Sequence, residues 1–380
     1  MGCSPFGGSW NHKALYSERV GQGENGMTSS RGTLLEQART HNTPLVVGDQ
    51  AIFVWTGDRA PILAGDMTGW QPWQASANGR EMKEVEPGVW TYTLTLPSDA
   101  YIEYVYFLDG QRVLDPFNPC RVPNGFGDSN NCFWMPQATR SRFFRRQKGV
   151  QAGKVNKRLF QSMRLAEGRR MVWLYQPAAE GPYPLLLVLD GKDYLERARL
   201  ATLVDNLIHQ EAVSPFAILF FNNARRSRFA EYGCSEALTS FVAQELLPWV
   251  ASEIPLAQRV GAHGVLGASL GGLAALWLGV RLPEIFGQVF SQAGGFILGP
   301  KELGLTTLLR LSEHLPLRIY MDCGRFDPLV EANRMMKDLL EKRGYEIAYR
   351  EFNAGHNYPA WREQLAEGLV WLFPPKRLED

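Results

Sequence analysis

The chain carries two different hydrophobic patterns, one in its first third and one beyond about residue 160. In the first third, short apolar runs alternate with polar positions between glycine-rich or proline-rich turns. Residues 88–96 are the clearest case, with large apolar side chains at Trp90, Tyr92, Leu94 and Leu96. A period of two is typical of half-buried strands, and such strands at turn-bounded spacing predict a small all-β sandwich.

The second pattern replaces alternation with unbroken apolar runs. Residues 185–189 and 217–221 are wholly apolar, as expected for strands that are buried on both faces. Helical periodicity occupies the intervals, for example over residues 236–250. Strands that alternate with helices predict a doubly wound, mostly parallel sheet.

These patterns divide the chain into four segments. Residues 1–32 are polar, lack periodicity and predict a disordered leader. Residues 33–136 form the predicted sandwich, and residues 159–380 form the predicted α/β domain. Between them, residues 137–158 are rich in arginine and lysine and predict a solvated linker.

Composition excludes several classes of function. The net charge is +1, which gives no global field for nucleic acid or an anionic membrane. No apolar run has the length of a membrane span, and the first forty residues are polar and lack the apolar core of a secretion signal. The five cysteines are scattered without metal-ligand spacing, which favours reduced thiols, a cytoplasmic location and no metal site. In an oxidising compartment, Cys120 and Cys132 could instead pair.

A candidate nucleophile lies in the α/β domain. Ser269 is the centre of a Gly-x-Ser-x-Gly pattern, with an apolar run before it and a helical pattern after it. A strand, a sharp turn and a helix present a nucleophilic serine in this way, and the turn requires small neighbours. Gly267, Ala268, Gly271 and Gly272 meet that requirement. The alternative is a turn in which small residues only allow close packing.

A serine nucleophile needs a base, and in α/β-hydrolases the acid and the histidine follow the serine. Among the later histidines, His314 precedes a predicted strand, whereas His356 follows the last one. His356 is therefore the predicted base. The remaining histidines precede the serine and are excluded: His12, His41, His209 and His263.

The acid should follow the strand that ends near residue 321. Asp322 comes directly after this strand, whereas Asp327 lies further along a loop with room to turn toward the histidine. Asp327 is preferred over Asp322, and Glu331 is a more distant third candidate. An aspartate before Pro328 is also a typical helix N-cap, so Asp327 has a structural alternative.

The oxyanion hole should combine two backbone N–H groups. Leu270, directly after the serine, supplies the first. The second should come from the loop after residues 185–189, where Gly191 and Lys192 are equal candidates.

Several stretches of the α/β domain resemble the enterochelin (enterobactin) esterases and the wider esterase-D-like group, which includes feruloyl and acetylxylan esterases. The resemblance rests on residues 189–191, 228–232, 245–249, 267–272, 331–333 and 355–362. It implies an α/β-hydrolase fold, the nucleophile Ser269, the base His356, the acid Asp327, and two-step acyl transfer without metal or cofactor. The family often has an acidic residue where this chain has Asn357, which bears on substrate choice.

The first third resembles early-set immunoglobulin-like modules related to glycogen-binding domains, through residues 64–70, 89–90, 104–110 and 115–116. In that group, exposed tryptophans of some members bind α-glucans. Trp70 and Trp73 are therefore candidates for a glycan platform, although a role in core or interdomain packing is the preferred interpretation.

The expected partner is a small-molecule ester. A ferric catecholate siderophore is a bulky polyanion, so its pocket needs arginines and aromatic side chains. Arg225, Arg226 and Arg228 follow the strand at residues 217–221, and Trp361 lies near His356. The competing hypotheses are a feruloyl or acetylxylan esterase and a non-catalytic binding protein on a hydrolase fold.

Overall fold

The computed structural model describes residues 18–19, 33–69, 79–125, 127–297 and 300–375. Most of the predicted leader lies outside these residues, and so do Trp70 and Trp73. Helix α1 (Leu34–His41) opens the main described part and begins at a capping box, in which Thr33 and Glu36 each bind the backbone of the other.

Apart from this helix, the N-terminal region is all-β. Its strands are β1 (Glu18–Arg19), β2 (Leu45–Val47), β3 (Gln50–Thr56), β4 (Ile62–Gly65), β5 (Arg80–Glu81), β6 (Lys83–Glu86), β7 (Val89–Thr95), β8 (Tyr101–Leu108), β9 (Gln111–Val113), β10 (Arg121–Pro123), β11 (Ser129–Trp134) and β12 (Thr139–Arg140). One antiparallel sheet has the order β2-β3-β7-β6, and a second has the order β10-β11-β8-β4-β5 with β9 on β8. Phe53 of the first sheet packs edge-on against Tyr104 and Phe133 of the second, so the two sheets share one aromatic core.

A single eight-stranded sheet organises the rest of the chain. Its strands are β13 (Lys154–Gln161), β14 (Arg169–Gln176), β15 (Leu185–Leu189), β16 (Ala217–Phe221), β17 (His263–Ala268), β18 (Phe286–Gln292), β19 (Arg318–Gly324) and β20 (Glu346–Phe352). The order is β13-β14-β16-β15-β17-β18-β19-β20; β14 pairs antiparallel with β13 and β16, and the other pairs are parallel. The predicted doubly wound, mostly parallel sheet is confirmed.

Helices cover both faces of this sheet. They are α2 (Gly191–Glu196), α3 (Leu200–His209), α4 (Arg228–Tyr232), α5 (Glu236–Phe241), α6 (Leu247–Glu253), α7 (Leu270–Arg281), α8 (Pro300–Leu311), α9 (Val330–Lys342) and α10 (Tyr358–Leu372). Successive residues of β15 point to opposite sides: Leu187 belongs to the hydrophobic core that includes α7, and Val188 to the one that includes α3 and α10. Burial on both faces explains why this strand is uninterrupted in its apolar character.

The predicted linker is shorter in the structure than residues 137–158. Strand β13 begins at Lys154 and pairs with β14 along its whole length. The side chains of β13 are nearly all exposed. This edge strand therefore has the composition that is expected of a solvated linker. Phe143 and Phe144, also inside the predicted linker, are buried against the α3 and α10 face.

Candidate active site

Ser269 occupies the sharp turn that its sequence pattern predicts. It follows β17 directly, has a φ of 59°, and is the residue before α7. A positive φ is strained for serine, so tight packing around the turn must hold it. A Cβ on Gly267 would lie 2.2 Å from the carbonyl oxygen of Gly271, and one on Gly272 would lie 2.6 Å from Ser291 Oγ. Glycine is therefore required at both positions, and the half-buried serine stands at the carboxyl end of its strand.

The structure brings His356 and Asp327 together. They follow β20 and β19, which are parallel neighbours, so both lie at the sheet edge where Ser269 emerges. Asp327 Oδ2 lies 2.8 Å from His356 Nδ1, and the two side chains are 0% and 8% exposed. Asp327 Oδ1 also accepts the N–H of Leu329 at 2.9 Å. A carboxylate at Nδ1 favours the tautomer with its proton there, which makes Nε2 the basic nitrogen.

The other acid candidates have different partners. Asp322 points into the sheet, where its Oδ2 accepts a hydrogen bond from Gln292 Nε2 at 2.9 Å. Burial raises the pKa of Asp322 to about 8, and the nearby charge of Asp327 adds to the rise. Glu331 instead pairs with Arg334 on the surface of α9. Of the three candidates, Asp327 is the one with a hydrogen bond to the histidine.

Gln292 is a connecting residue that the sequence pattern did not single out. Its carbonyl oxygen accepts the N–H of Ser269 at 2.8 Å, and its side-chain oxygen accepts the Tyr194 hydroxyl at 2.9 Å. Its Nε2 donates to the carbonyl oxygen of Trp361 at 3.0 Å, and the Trp361 ring lies 4.8 Å from that of His356. One fully buried amide thus links the serine turn to the helix after the histidine. No local pattern marks this glutamine, because β18 also contains a second glutamine and a serine.

Two helix N-termini meet beside the serine. Strands β15 and β17 are parallel neighbours, and each runs into a helix, α2 at Gly191 and α7 at Leu270. The first N–H groups of a helix have no partner within it, so they can serve an oxyanion. A Cβ on Gly191 would lie 2.4 Å from the backbone of Phe220 and Phe221, which makes glycine obligatory there. Lys192 occupies the same turn of α2, with its side chain exposed.

Arg228 connects the residue that precedes α2 with the residue that precedes the serine. Its guanidinium donates to both carboxylate oxygens of Asp190, at 2.8 and 2.6 Å, and to the carbonyl oxygen of Ala268 at 3.3 Å. Asp190 precedes Gly191 and has a φ of 54°, while Ala268 precedes the serine. Arg228 is therefore held within the protein, unlike the exposed Arg225.

The rest of α4 reinforces this arrangement. Glu231 forms a two-point ion pair with Arg170 of β14, with both distances 2.8 Å and both side chains 3% exposed. The hydroxyl of Tyr232 accepts the N–H of Asp190 at 3.0 Å. Residues 228–232 therefore connect β14 to the sheet edge that carries Ser269.

Two negative findings concern the described residues only. There, no group of three or more histidine, cysteine, aspartate or glutamate side chains is arranged to hold a metal ion. In the same part of the chain, no helix is both long and apolar enough to cross a membrane.

Comparison with known proteins identifies the family. Residues 162–372 match the model of the family described as putative esterase. The chain is 30% identical over 280 residues to an iron(III) enterobactin esterase of Escherichia coli K12, covering 70% of this chain and 68% of that protein.

Solved structures agree on the fold. The crystal structure of a ferric enterobactin esterase from Salmonella typhimurium superposes with a TM-score of 0.71 at 24% identity, covering 85% of this chain and 93% of that one. A ferulic acid esterase from Anaeromyces mucronatus superposes with a TM-score of 0.52 at 17% identity, covering 61% and 95%. The fold is that of the α/β-hydrolases, preceded by an all-β region. The chain belongs to the esterase family that includes the iron(III) enterobactin esterases, and it is a carboxylic ester hydrolase.

Proposed function

We propose that this protein hydrolyses an ester of a ferric catecholate siderophore, with Ser269 as nucleophile, His356 as general base and Asp327 as the acid that orients it. The contact between Asp327 Oδ2 and His356 Nδ1, at 2.8 Å, carries the proposal. It joins two residues distant in sequence at the sheet edge where the strained serine lies.

The chemistry would be acyl transfer in two steps. Ser269 Oγ attacks the ester carbonyl while His356 Nε2 takes the hydroxyl proton. The N–H of Leu270, with that of Gly191 or Lys192, stabilises the oxyanion. The imidazolium then protonates the leaving alkoxide, and a water activated by the same histidine hydrolyses the acyl-enzyme.

The substrate class is supported by relatives and by charge. The relatives include proteins described as iron(III) enterobactin esterase and iron(III) salmochelin esterase. Arg225 and Arg226 are exposed just beyond the carboxyl end of β16, on the same side of the sheet as the serine. Two exposed guanidiniums there suit a polyanionic substrate. Trp361 is largely buried against His356, so we propose that it shapes the pocket floor.

We further propose that the N-terminal region is an immunoglobulin-like module that spans residues 33–136, followed by the catalytic domain. Its two antiparallel sheets with a shared aromatic core support this assignment. The comparison with the ferulic acid esterase spans 61% of the chain, whereas that with the enterobactin esterase spans 85% and so extends into the N-terminal region.

The test measures hydrolysis of a ferric tris-catecholate trilactone, methyl ferulate and acetylated xylo-oligosaccharide by the wild type and Ser269→Ala. We expect the trilactone to give the highest kcat/KM, and Ser269→Ala to lose about 10⁵ to 10⁶-fold in kcat on every ester. Faster turnover of methyl ferulate would overturn the substrate, and an active Ser269→Ala would overturn the nucleophile.

A further inference from the structure

The N-terminal sandwich reaches the loop that carries His356. Asp66 follows β4 and is 4% exposed. Its Oδ2 accepts the N–H of Glu103 at 2.8 Å and the side-chain amide of Asn357 at 3.3 Å. The backbone N–H of Gly355 also hydrogen-bonds to this carboxylate. One aspartate of the sandwich therefore holds the residues on both sides of the histidine.

Neighbouring contacts bind the same loop. The N–H of Tyr101 donates to the carbonyl oxygen of Asn353 at 2.9 Å, and the Asn353 amide donates to Asp99 at 2.6 Å. Phe326, the residue before Asp327, packs against the aromatic core of the sandwich. The sandwich thus touches both loops that supply the Asp327–His356 pair.

We propose that Asp66 is a positioning residue for the esterase reaction, which fixes the His356 loop through Gly355 and Asn357. This inference rests on the proposed role of His356 as the base. It gives the N-terminal sandwich a part in catalysis that is independent of any glycan.

The local packing leaves little alternative to this contact. A Cβ on Gly355 would lie 2.1 Å from Asp66 Oδ1, so the loop backbone is pressed directly against the carboxylate. Removing the carboxylate would leave three buried N–H donors without an acceptor, and the loop would shift to find new partners. A shift of about 1 Å in a catalytic group can cost about 100-fold in rate.

The test compares Asp66→Ala with Asp115→Ala. Asp115 is also fully buried in the sandwich, where it accepts hydrogen bonds from Thr43 and Tyr104, but it has no contact with the His356 loop among those described. Both variants should lower the unfolding temperature. With p-nitrophenyl acetate, Asp66→Ala should lose about 10- to 100-fold in kcat with little change in KM, whereas Asp115→Ala should keep its kcat at a temperature where it is folded.

A charge exchange gives a second readout. The single variant Asn357→Asp places a second carboxylate against Asp66, and we expect it to lower kcat. The double variant Asn357→Asp/Asp66→Asn again pairs one amide donor with one carboxylate acceptor, so it should recover part of the lost kcat. Wild-type kcat in folded Asp66→Ala, or equal kcat losses in Asp66→Ala and Asp115→Ala, would overturn the positioning role. His356→Ala separates this outcome from the proposed function, because an active His356→Ala would refute the base itself.

A different region, the basic stretch between the two domains, forms a second candidate site. A cavity of about 470 Å³ is lined by arginines of this stretch together with arginines near α3 and in α10. They are Arg140, Arg142, Arg145, Arg146, Arg199 and Arg362. Few acids neutralise them: Arg146 pairs with Asp205 at 3.4 Å and Arg362 with Glu363 at 3.1 Å. The sequence predicts that the charge of the basic stretch forms a solvated face. In the structure, arginines of this stretch line a concave site.

Two of these guanidiniums carry buried atoms without partners. The Nε atoms of Arg142 and Arg362 are inaccessible to solvent and have no hydrogen-bond acceptor among the described residues. Like charges around one cavity repel each other, an anion in it would offset that repulsion, and arginine forks match phosphate and carboxylate oxygens. The geometry points to a binding site for a small multivalent oxyanion.

Calorimetric titration with tripolyphosphate and with citrate tests this site and separates phosphate from polycarboxylate ligands. We expect saturable binding of at least one, weakened at least tenfold in Arg142→Gln/Arg199→Gln. The matched control is Arg259→Gln/Arg310→Gln, which removes equal charge from exposed positions elsewhere. The absence of saturable binding by both anions, or equal weakening in the control, would overturn the site.

Discussion

The carboxylate of Asp327 meets His356 Nδ1 at 2.8 Å, whereas Asp322 turns away into the sheet toward Gln292. Asp322 lies within β19 and Asp327 lies three residues after its end, and both are buried. Their partners differ because β19 continues through Asp322 to Gly324, so Asp322 still points across the sheet. Asp327 lies beyond the strand, in the turn before α9.

This difference predicts opposite results for two conservative substitutions. Asp327→Asn should lower kcat by about 10³ to 10⁴-fold, because an amide no longer favours the tautomer in which Nε2 is basic. Asp322→Asn should keep kcat within a few-fold of the wild type. Steady-state hydrolysis of p-nitrophenyl acetate checks both, and a larger loss in Asp322→Asn would reverse the assignment.

Asp322 should make stability depend on pH. Its pKa is raised from the ordinary 3.8 to about 8, mainly by burial, so the folded protein holds a proton that the unfolded chain releases between these values. Stability from this group is complete below pH 3.8, falls by about 1.4 kcal/mol per pH unit as pH rises from there, and is fully lost above about pH 8. Urea unfolding at several pH values should show the wild type losing stability relative to Asp322→Asn as pH rises. A difference that does not vary with pH would mean that Asp322 is ionised in the folded protein.

The arginines near the serine should separate into two kinetic classes. Arg228→Lys loses the two-point pair with Asp190, and we expect kcat to fall about tenfold on charged and neutral esters alike. Arg225→Gln removes an exposed charge, so it should raise KM for the ferric trilactone and leave p-nitrophenyl acetate unchanged. A rise in KM for the trilactone alone in Arg228→Lys would instead indicate direct substrate contact.

Two glycine substitutions test the oxyanion loop. Gly191→Ala forces a methyl group to within 2.4 Å of the β16 backbone, and we expect a loss of about 1–3 kcal/mol in unfolding free energy together with most of the activity. Gly304→Ala is the control, because it lies within α8 with nothing within 4 Å of the added Cβ. That control should gain about 0.5–1 kcal/mol and keep full activity. Normal activity in Gly191→Ala would contradict the expectation that the added methyl group displaces the oxyanion loop.

Cys120 and Cys132 should respond together to an oxidant. Their sulfur atoms lie 2.9 Å apart, and the hydrogen bond from Cys132 with the charge of Arg140 lowers the pKa of Cys120 to about 7. A thiolate near neutral pH reacts readily with diamide, which would accept the two hydrogens as the disulfide forms. Peptide mapping should find this pair linked and Cys234 and Cys323 free. Linkage to other cysteines would contradict the prediction.

The fold class was predictable because it depends on local periodicity, and the sharp turn at Ser269 was predictable from its small neighbours. Residues that act through distant contacts were not. Asp66 and Gln292 are polar residues that no local pattern marks, and their partners lie elsewhere in the chain. The arginine cavity likewise joins the basic stretch to Arg199 and Arg362, which no local pattern connects.

The basic edge strand β13 has a consequence for association between copies of the protein. An edge strand exposes unpaired N–H and C=O groups that can template pairing with another sheet. On β13, the exposed side chains include Lys154, Lys157 and Arg158. A second copy that approached edge to edge would meet the same charges, and the repulsion would oppose pairing. We therefore expect the cationic composition of β13 to disfavour aggregation through this edge.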